Sequence, residues 1–213
     1  METPKTNILN AASTLFLKGG VAALSVRAIA DLAGVSTIGI YSHFQGKQGI
    51  LDALYIEGFN QVSAAMDVLG EGLKIELKPP AAVLKACENY LASAENYQAH
   101  YRLIFGQADD AYQPSAHAHE VAIKAFISLT KLVARLLPRE ATLAQQQDAA
   151  LKVWSVIHGF VCLRFHTVGQ FVDMTNWKER AMQTLIGVVA DIERDAKPVN
   201  TGVSRKRENK SRA

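Results

Sequence analysis

The stretch Ser25-Val-Arg-Ala-Ile-Ala-Asp-Leu-Ala-Gly34-Val-Ser36-Thr-Ile-Gly-Ile40-Tyr-Ser-His-Phe44-Gln-Gly-Lys47 reads as two short helices broken by one tight turn. Ser25 can cap a helix whose buried side is Val26, Ile29 and Ala30. Gly34 supplies the left-handed residue that ends it, and Ser36 caps a second helix buried through Ile40 and Phe44. Such a pair is a helix-turn-helix. With Ile40 and Phe44 turned inward, the second helix presents Thr37, Tyr41, Ser42 and His43, hydrogen-bonding side chains of modest size that suit a DNA groove. Lys47 stands at the start of the next helix, where a cation and free backbone N–H groups favour a phosphate. Generic helix packing is the bland alternative, because a bare helix–turn–helix pattern is common.

Outward from this stretch, Ile8, Leu9, Ala12, Leu15 and Phe16 form one apolar stripe of a first helix expected over about Thr6–Lys18, stopped by Gly19-Gly20. A long helix follows from Lys47 to about Leu69, with Ile50, Leu51, Leu54, Phe59, Val62 and Met66 at helical spacing. At about 1.5 Å per residue it is roughly 33 Å long, enough to reach from one domain into another. Gly70, Gly72 and Pro79-Pro80 mark a break behind it. Beyond the break, about 80–93, 97–105, 114–137, 142–166 and 176–196 each carry helical periodicity, and no stretch alternates as a strand would. The fold is expected to be all-α, with about nine helices. Its expected divisions are a DNA-binding domain over 1–60, a second, larger helical domain over 61–196 and a basic disordered tail over 197–213.

Composition excludes several classes. The 213 residues are 49% hydrophobic, ample for a real core. The N-terminus lacks a basic start followed by an apolar run, and Val153–Leu163 falls far short of the ~20 residues a spanning helix needs. Cys87 and Cys162 form neither a disulfide framework nor a closely spaced metal pair. A cytoplasmic protein with no membrane contact is expected. The net charge is +3, but residues 197–213 hold six basic side chains against Glu208, so residues 1–196 are slightly acidic. The charge therefore gives no footprint of DNA binding, and the helix-turn-helix carries that claim alone. The tail reads either as a solvated end or as a source of sequence-independent phosphate attraction.

Two features of the second half suggest a pocket. Tyr97, Tyr101 and Phe105, with His100 beside them, fall at i, i+4, i+8 and line one helical face, which suits a core stripe or a pocket wall. Trp154, His158, Cys162 and His166 share another face. Imidazole and thiolate at 158, 162 and 166 suit zinc or copper, yet ligands spread over two turns converge on one ion only with help from another segment. A Cys162–His158 nucleophilic dyad lacks a third orienting group. No metal, cofactor or catalytic residue is expected.

Residues Ile8 to Leu54 resemble the N-terminal domain of TetR-type transcriptional regulators. The resemblance runs through Ile8-Leu9-Asn10-Ala11-Ala12, Leu15-Phe16, Gly20, Arg27-Ala28-Ile29-Ala30, Ala33-Gly34-Val35-Ser36, Ile40-Tyr41-Ser42-His43-Phe44, Lys47 and Leu51. It covers about a quarter of the chain. Where the family most often has Gly followed by a small or hydroxyl residue, this chain has Ile38-Gly39. Ile38 suits a thymine methyl, and Gly39 weakens the reading helix by roughly 1 kcal/mol relative to Ala. Trp154-x-x-x-His158-Gly159 resembles the C-terminal ligand-binding domain that some of these regulators carry, named for its Trp, His and Gly.

The resemblance implies a transcriptional regulator that binds double-stranded DNA at a palindromic operator, acts as a repressor and releases when a small, largely apolar effector binds. It implies further that the last two helices form a four-helix dimer interface, where Ala149, Ala150, Ser155, Gly159, Ala181, Gly187 and Ala190 would allow close approach. The expected DNA-contacting set is Ser25, Arg27, Ser36, Thr37, Ile38, Tyr41, Ser42, His43 and Lys47, with Tyr41 and Lys47 on phosphates and Thr37 and His43 on bases. The expected ligand set is Tyr97, Tyr101, Phe105, Trp154, His158 and Cys162. An effector-free regulator of the same fold is the alternative.

Overall fold

The computed structural model describes residues 3–68, 77–105 and 112–196, and among them every regular element is helical. In order these are α1 Pro4–Gly19, α2 Val26–Ala33, α3 Thr37–Phe44, α4 Lys47–Met66, α5 Pro79–Asn96, α6 Gln98–Ile104, α7 Ala116–Ala134, α8 Leu143–Phe165 and α9 Trp177–Asp195. Short 3-10 turns lie at Val21–Ala23 and Thr167–Phe171. The tail over 197–213 and the expected helix end at Leu69 fall outside the described residues. No helix among the described residues is long and apolar enough to cross a membrane.

Local chemistry sets the first elements. Thr3 Oγ1 accepts from Thr6 N at 3.2 Å and Pro4 occupies the first turn, so α1 begins two residues before the expected Thr6. Proline lacks the N–H that a first turn leaves unpaired, which makes this start favourable. Ser25 Oγ caps α2 through Ala28 N at 3.1 Å, and Ser36 Oγ caps α3 through Gly39 N at 3.1 Å. Gly34 joins them in the left-handed region at φ 68°, as the turn requires. Ile8, Ile29, Ile40 and Ile50 are wholly buried, and each stabilises the bundle by about 1.5–3 kcal/mol.

A close approach fixes α4 on the reading pair. A Cβ on Gly49 would stand 1.8 Å from the Phe44 carbonyl oxygen, so no larger residue fits there without moving backbone. Lys47 Nζ also donates to the Val21 carbonyl at 2.8 Å, tying the same end of α4 to the 3-10 turn.

Buried side chains fall into two clusters, which change over along α4 between Phe59 and Ala65. One joins α1 to α3 and α4 as far as Phe59 with Ala99 and Leu103 of α6, Tyr112, and Ala118 and Ala125 of α7. The other joins Ala65 and Met66 at the far end of α4 with α5, α8, α9 and the last turns of α7. Helices α4 and α7 therefore run through both. Asp52 clasps them together by accepting from Tyr112 Oη at 2.8 Å and from the backbone N–H of Ser115 at 3.2 Å.

Candidate DNA interface and ligand cavity

The exposed side of α3 is what its sequence pattern implied. Thr37, Tyr41, Ser42 and His43 are exposed, and Ile38 is 79% exposed. Three members of the expected set have other work. The Ser25 and Ser36 hydroxyls are the caps described above, and Ser42 Oγ donates to the Gly39 carbonyl at 3.0 Å. The two capping serines hold helix starts at this face, and the Ser42 bond lies within α3. Lys47 is half-buried, with its ammonium turned to Val21, and Arg27 remains exposed. An ammonium has three donors, so one bond does not exhaust Lys47. Lys5, which sequence periodicity did not single out, lies with its ammonium 5.6 Å from the Phe44 ring centroid and adds a cation at the end of α3.

A cavity of ≈ 440 Å³ opens in the second half, within the usual range of small-molecule sites. The far end of α4 contributes Phe59, Val62 and Met66. Cys87 and Tyr90 come from α5, Ile104 and Phe105 from the end of α6, Ala122, Ile123, Ala125, Phe126 and Leu129 from α7, and Val153, Trp154 and Ile157 from α8. No lining residue is charged. Phe105 lies 5.7 Å from Trp154 between ring centroids, and Phe126 lies 5.8 Å from it, so rings from three helices enclose the space.

Of the six expected ligand residues, Phe105 and Trp154 line this cavity. Tyr101 and His158 stand behind it and brace it. The Tyr101 hydroxyl and His158 Nδ1 are 2.5 Å apart, and His158 packs on Phe105 at 4.8 Å and on Trp154 at 5.7 Å between centroids. Burial holds the Tyr101 phenol well above its ordinary range and His158 below its own, so the phenol donates to a neutral imidazole. His158 Nε2 then carries the hydrogen and meets Cys162 Sγ at 3.3 Å. Cys162 itself lies outside the cavity, lining a separate crevice of ≈ 160 Å³ with Tyr101 and Phe105.

Tyr97 is displaced from the expected stripe. The chain bends there between α5 and α6, at φ −121° and ψ 48°, and leaves Tyr97 46% exposed. His100 lies instead against α4, with Nε2 3.3 Å from Glu57 Oε2. Among the described residues no group of three metal-ligating side chains gathers, and His166 does not complete a set with His158 and Cys162.

Residues 8–54 match the bacterial regulatory proteins of the tetR family, and residues 83–189 match the tetracyclin repressor-like C-terminal domain, a segment that holds Trp154, His158 and Gly159. The chain belongs to the TetR family. It is a DNA-binding transcriptional regulator and not an enzyme. A curated relative, the HTH-type transcriptional repressor KstR2 of Rhodococcus jostii (strain RHA1), is 40% identical over 55 residues, 26% of this chain and 26% of that protein. This chain thus matches about a quarter of that relative's length.

Among solved structures, a protein of unknown function from Rhodococcus sp. RHA1 superposes with a TM-score of 0.68 at 22% identity, over 92% of this chain and 97% of that one. A TetR variant from Acinetobacter baumannii AYE, in complex with minocycline, superposes at 0.59 with 16% identity, over 92% of this chain and 100% of the other. These likenesses are of fold.

On the last two helices the placement of the small residues corrects the sequence reading. Ala149, Ala150 and Ala181 are buried inside the protomer, where they let α8, α9 and their neighbours approach. Ser155, Gly187 and Ala190 face outward, as do the apolar Leu151, Leu163 and Ile186, each about half exposed. Gly159 is partly covered, with open space where a Cβ would stand.

Sequence reasoning missed the α5 and α7 walls of the cavity. Their signal was present as apolar periodicity over 80–93 and 114–137, but periodicity shows that a face is buried and not what it faces.

Proposed function

We propose that the protein is a homodimeric repressor that binds a palindromic operator through Ser25–Lys47 of each subunit and leaves it when a small, largely apolar molecule fills the cavity. The observation that carries this reading is the position of α4. Its near end packs under the reading helix through Gly49 and Phe44, and its far end supplies Phe59, Val62 and Met66 to the cavity wall. The minocycline complex of a protein of the same fold supports an occupied cavity. The half-exposed apolar side chains Leu151, Leu163 and Ile186 on α8 and α9 support the dimer. The reading places DNA-binding, effector and dimerisation functions in 1–60 and 61–196, with the boundary inside α4, and places the protein in the cytoplasm.

Two reading helices must stand about one DNA turn apart, roughly 34–36 Å, to enter successive major grooves on one face. The 20 residues of α4 span about 30 Å, so a displacement of the far end swings the reader at the near end. A 100-fold change in operator affinity needs about 2.7 kcal/mol of preference for the released arrangement, which a few differential apolar contacts supply. In the bound arrangement Thr37, Ile38 and His43 meet bases. Tyr41, Arg27, Lys47 and the first turn of α4 meet phosphates, while Ser25 and Ser36 hold the helix starts beside the DNA.

The test uses a shift assay on the upstream DNA of the protein's own gene, with and without small molecules identified by native mass spectrometry of the purified protein. Trp154→Ala should retain operator binding within about threefold and lose the response by tenfold or more. No shift on any palindrome refutes the operator; a shift that no co-purified molecule relieves leaves the effector-free regulator as the answer.

A further inference from the structure

The cavity has a specific polar character. Tyr90 lines it and is only 3% exposed, yet no side chain or backbone group of the described residues forms a hydrogen bond with its hydroxyl. The Tyr101 phenol and the Trp154 indole lie beside it without closing a hydrogen bond to it, and the Tyr101 hydrogen is given to His158 Nδ1 at 2.5 Å. Buried hydroxyls are ordinarily paired, and an unpaired one marks a place where a partner is gained on binding. The other polar atoms of the lining, the Trp154 indole N–H and the Cys87 thiol, are a pure donor and a weak donor. Burial pushes Cys87 up to about 12, so it stays a neutral thiol. Apart from the Tyr90 hydroxyl, which can donate or accept, the wall thus offers hydrogens and no strong acceptor, and it offers neither a cation for a carboxylate nor a carboxylate for an amine.

Resting on the ligand-responsive reading above, we propose that the occupant is an uncharged, largely apolar molecule bearing one hydrogen-bond-accepting oxygen, such as a ketone or ester carbonyl. Its oxygen is seated at the Tyr90 side of the cavity and takes the phenol's hydrogen. The apolar remainder lies against Phe59, Phe126 and Ile157. Apolar burial supplies most of the affinity, and the single acceptor selects among apolar molecules of equal size.

The test compares three probes on one carbon skeleton, cyclododecane, cyclododecanone and cyclododecanecarboxylate, by isothermal titration calorimetry with the full chain and with Tyr90→Phe, which removes one oxygen and keeps the ring. The expected result is that the ketone binds the unaltered protein about tenfold more tightly than the hydrocarbon, that this preference disappears in Tyr90→Phe, and that the carboxylate binds more weakly than the ketone. Hydrocarbon affinity in the same variant shows whether the cavity has kept its shape. Equal binding of ketone and hydrocarbon, or a preference that survives Tyr90→Phe, overturns the Tyr90 assignment and leaves the cavity as a ligand site. Tightest binding by the carboxylate overturns the uncharged class. If none of the three binds and native mass spectrometry finds the purified protein empty, the ligand-responsive reading fails, and this proposal with it.

Discussion

At its near end α4 is gripped: Gly49 meets the Phe44 carbonyl with no room for a side chain, Lys47 reaches Val21, and Asp52 accepts two hydrogen bonds from the segment that leads into α7. At its far end the same helix offers Phe59, Val62 and Met66 to an apolar cavity, where contacts are many, weak and exchangeable. Polar bonds and backbone contact have narrow geometry, whereas apolar contact tolerates a shift and a new occupant. A helix held in these two ways suits a lever, compliant where a molecule enters and rigid where the reading helix is carried. Helix α7 runs alongside it, packing on the DNA-binding end through Ala118 and lining the cavity through Phe126 and Leu129.

The sharpest way to break this contrast is Gly49→Ala. The added carbon collides with backbone, so a stability loss of about 2–3 kcal/mol is expected, with operator affinity falling more than tenfold and ligand binding retained. Urea unfolding and fluorescence anisotropy on labelled operator check it, and an unchanged urea midpoint would refute the close approach.

Asp52→Ala comes next in size. It leaves Tyr112 Oη and the Ser115 N–H without their acceptor, for an expected loss of about 1–2 kcal/mol. If the clasp is one unit, adding Tyr112→Phe should cost much less in the Asp52→Ala background than alone; strict additivity in thermal melts would dissolve it.

Gly39→Ala sharpens the near end instead of breaking it. A Cβ there would lie 3.6 Å from Ser36 Oγ, an ordinary contact, and Ala suits a helix interior better than Gly. A gain of about 0.5–1 kcal/mol is expected, and a lower urea midpoint would count against it.

The smallest effect lies behind the cavity. Burial lowers the His158 pKa, so the folded protein keeps the imidazole neutral while the unfolded chain takes up a proton below about pH 6.5. The stability held by the neutral group is present above that value and declines as pH falls through it. Between pH 7.5 and 5.5 the His158 share of the fall in melting temperature should be less than about 3 °C and should vanish in His158→Gln. A variant with the same pH slope as the parent would show that His158 does not contribute.

By itself the sequence determined what depends on neighbours along the chain: Ser25 and Ser36 as caps, Gly34 as the left-handed stop, Ile29, Ile40 and Phe44 as the inward face, Thr37, Tyr41 and His43 as the outward one. Each follows from hydrogen bonds or a 3.6-residue period spanning three or four residues, and such short-range terms are legible in one dimension. The alignment of Trp154, His158 and Cys162 on one face was legible for the same reason. Only the tertiary structure decided what lies across from those faces. It placed Tyr101 and His158 behind the cavity, turned Tyr97 outward at a bend, buried Ala149, Ala150 and Ala181 within the protomer, and made Gly49 indispensable through Phe44. Those outcomes rest on contacts between segments distant in sequence, and a helical period states that a face is covered without naming its cover.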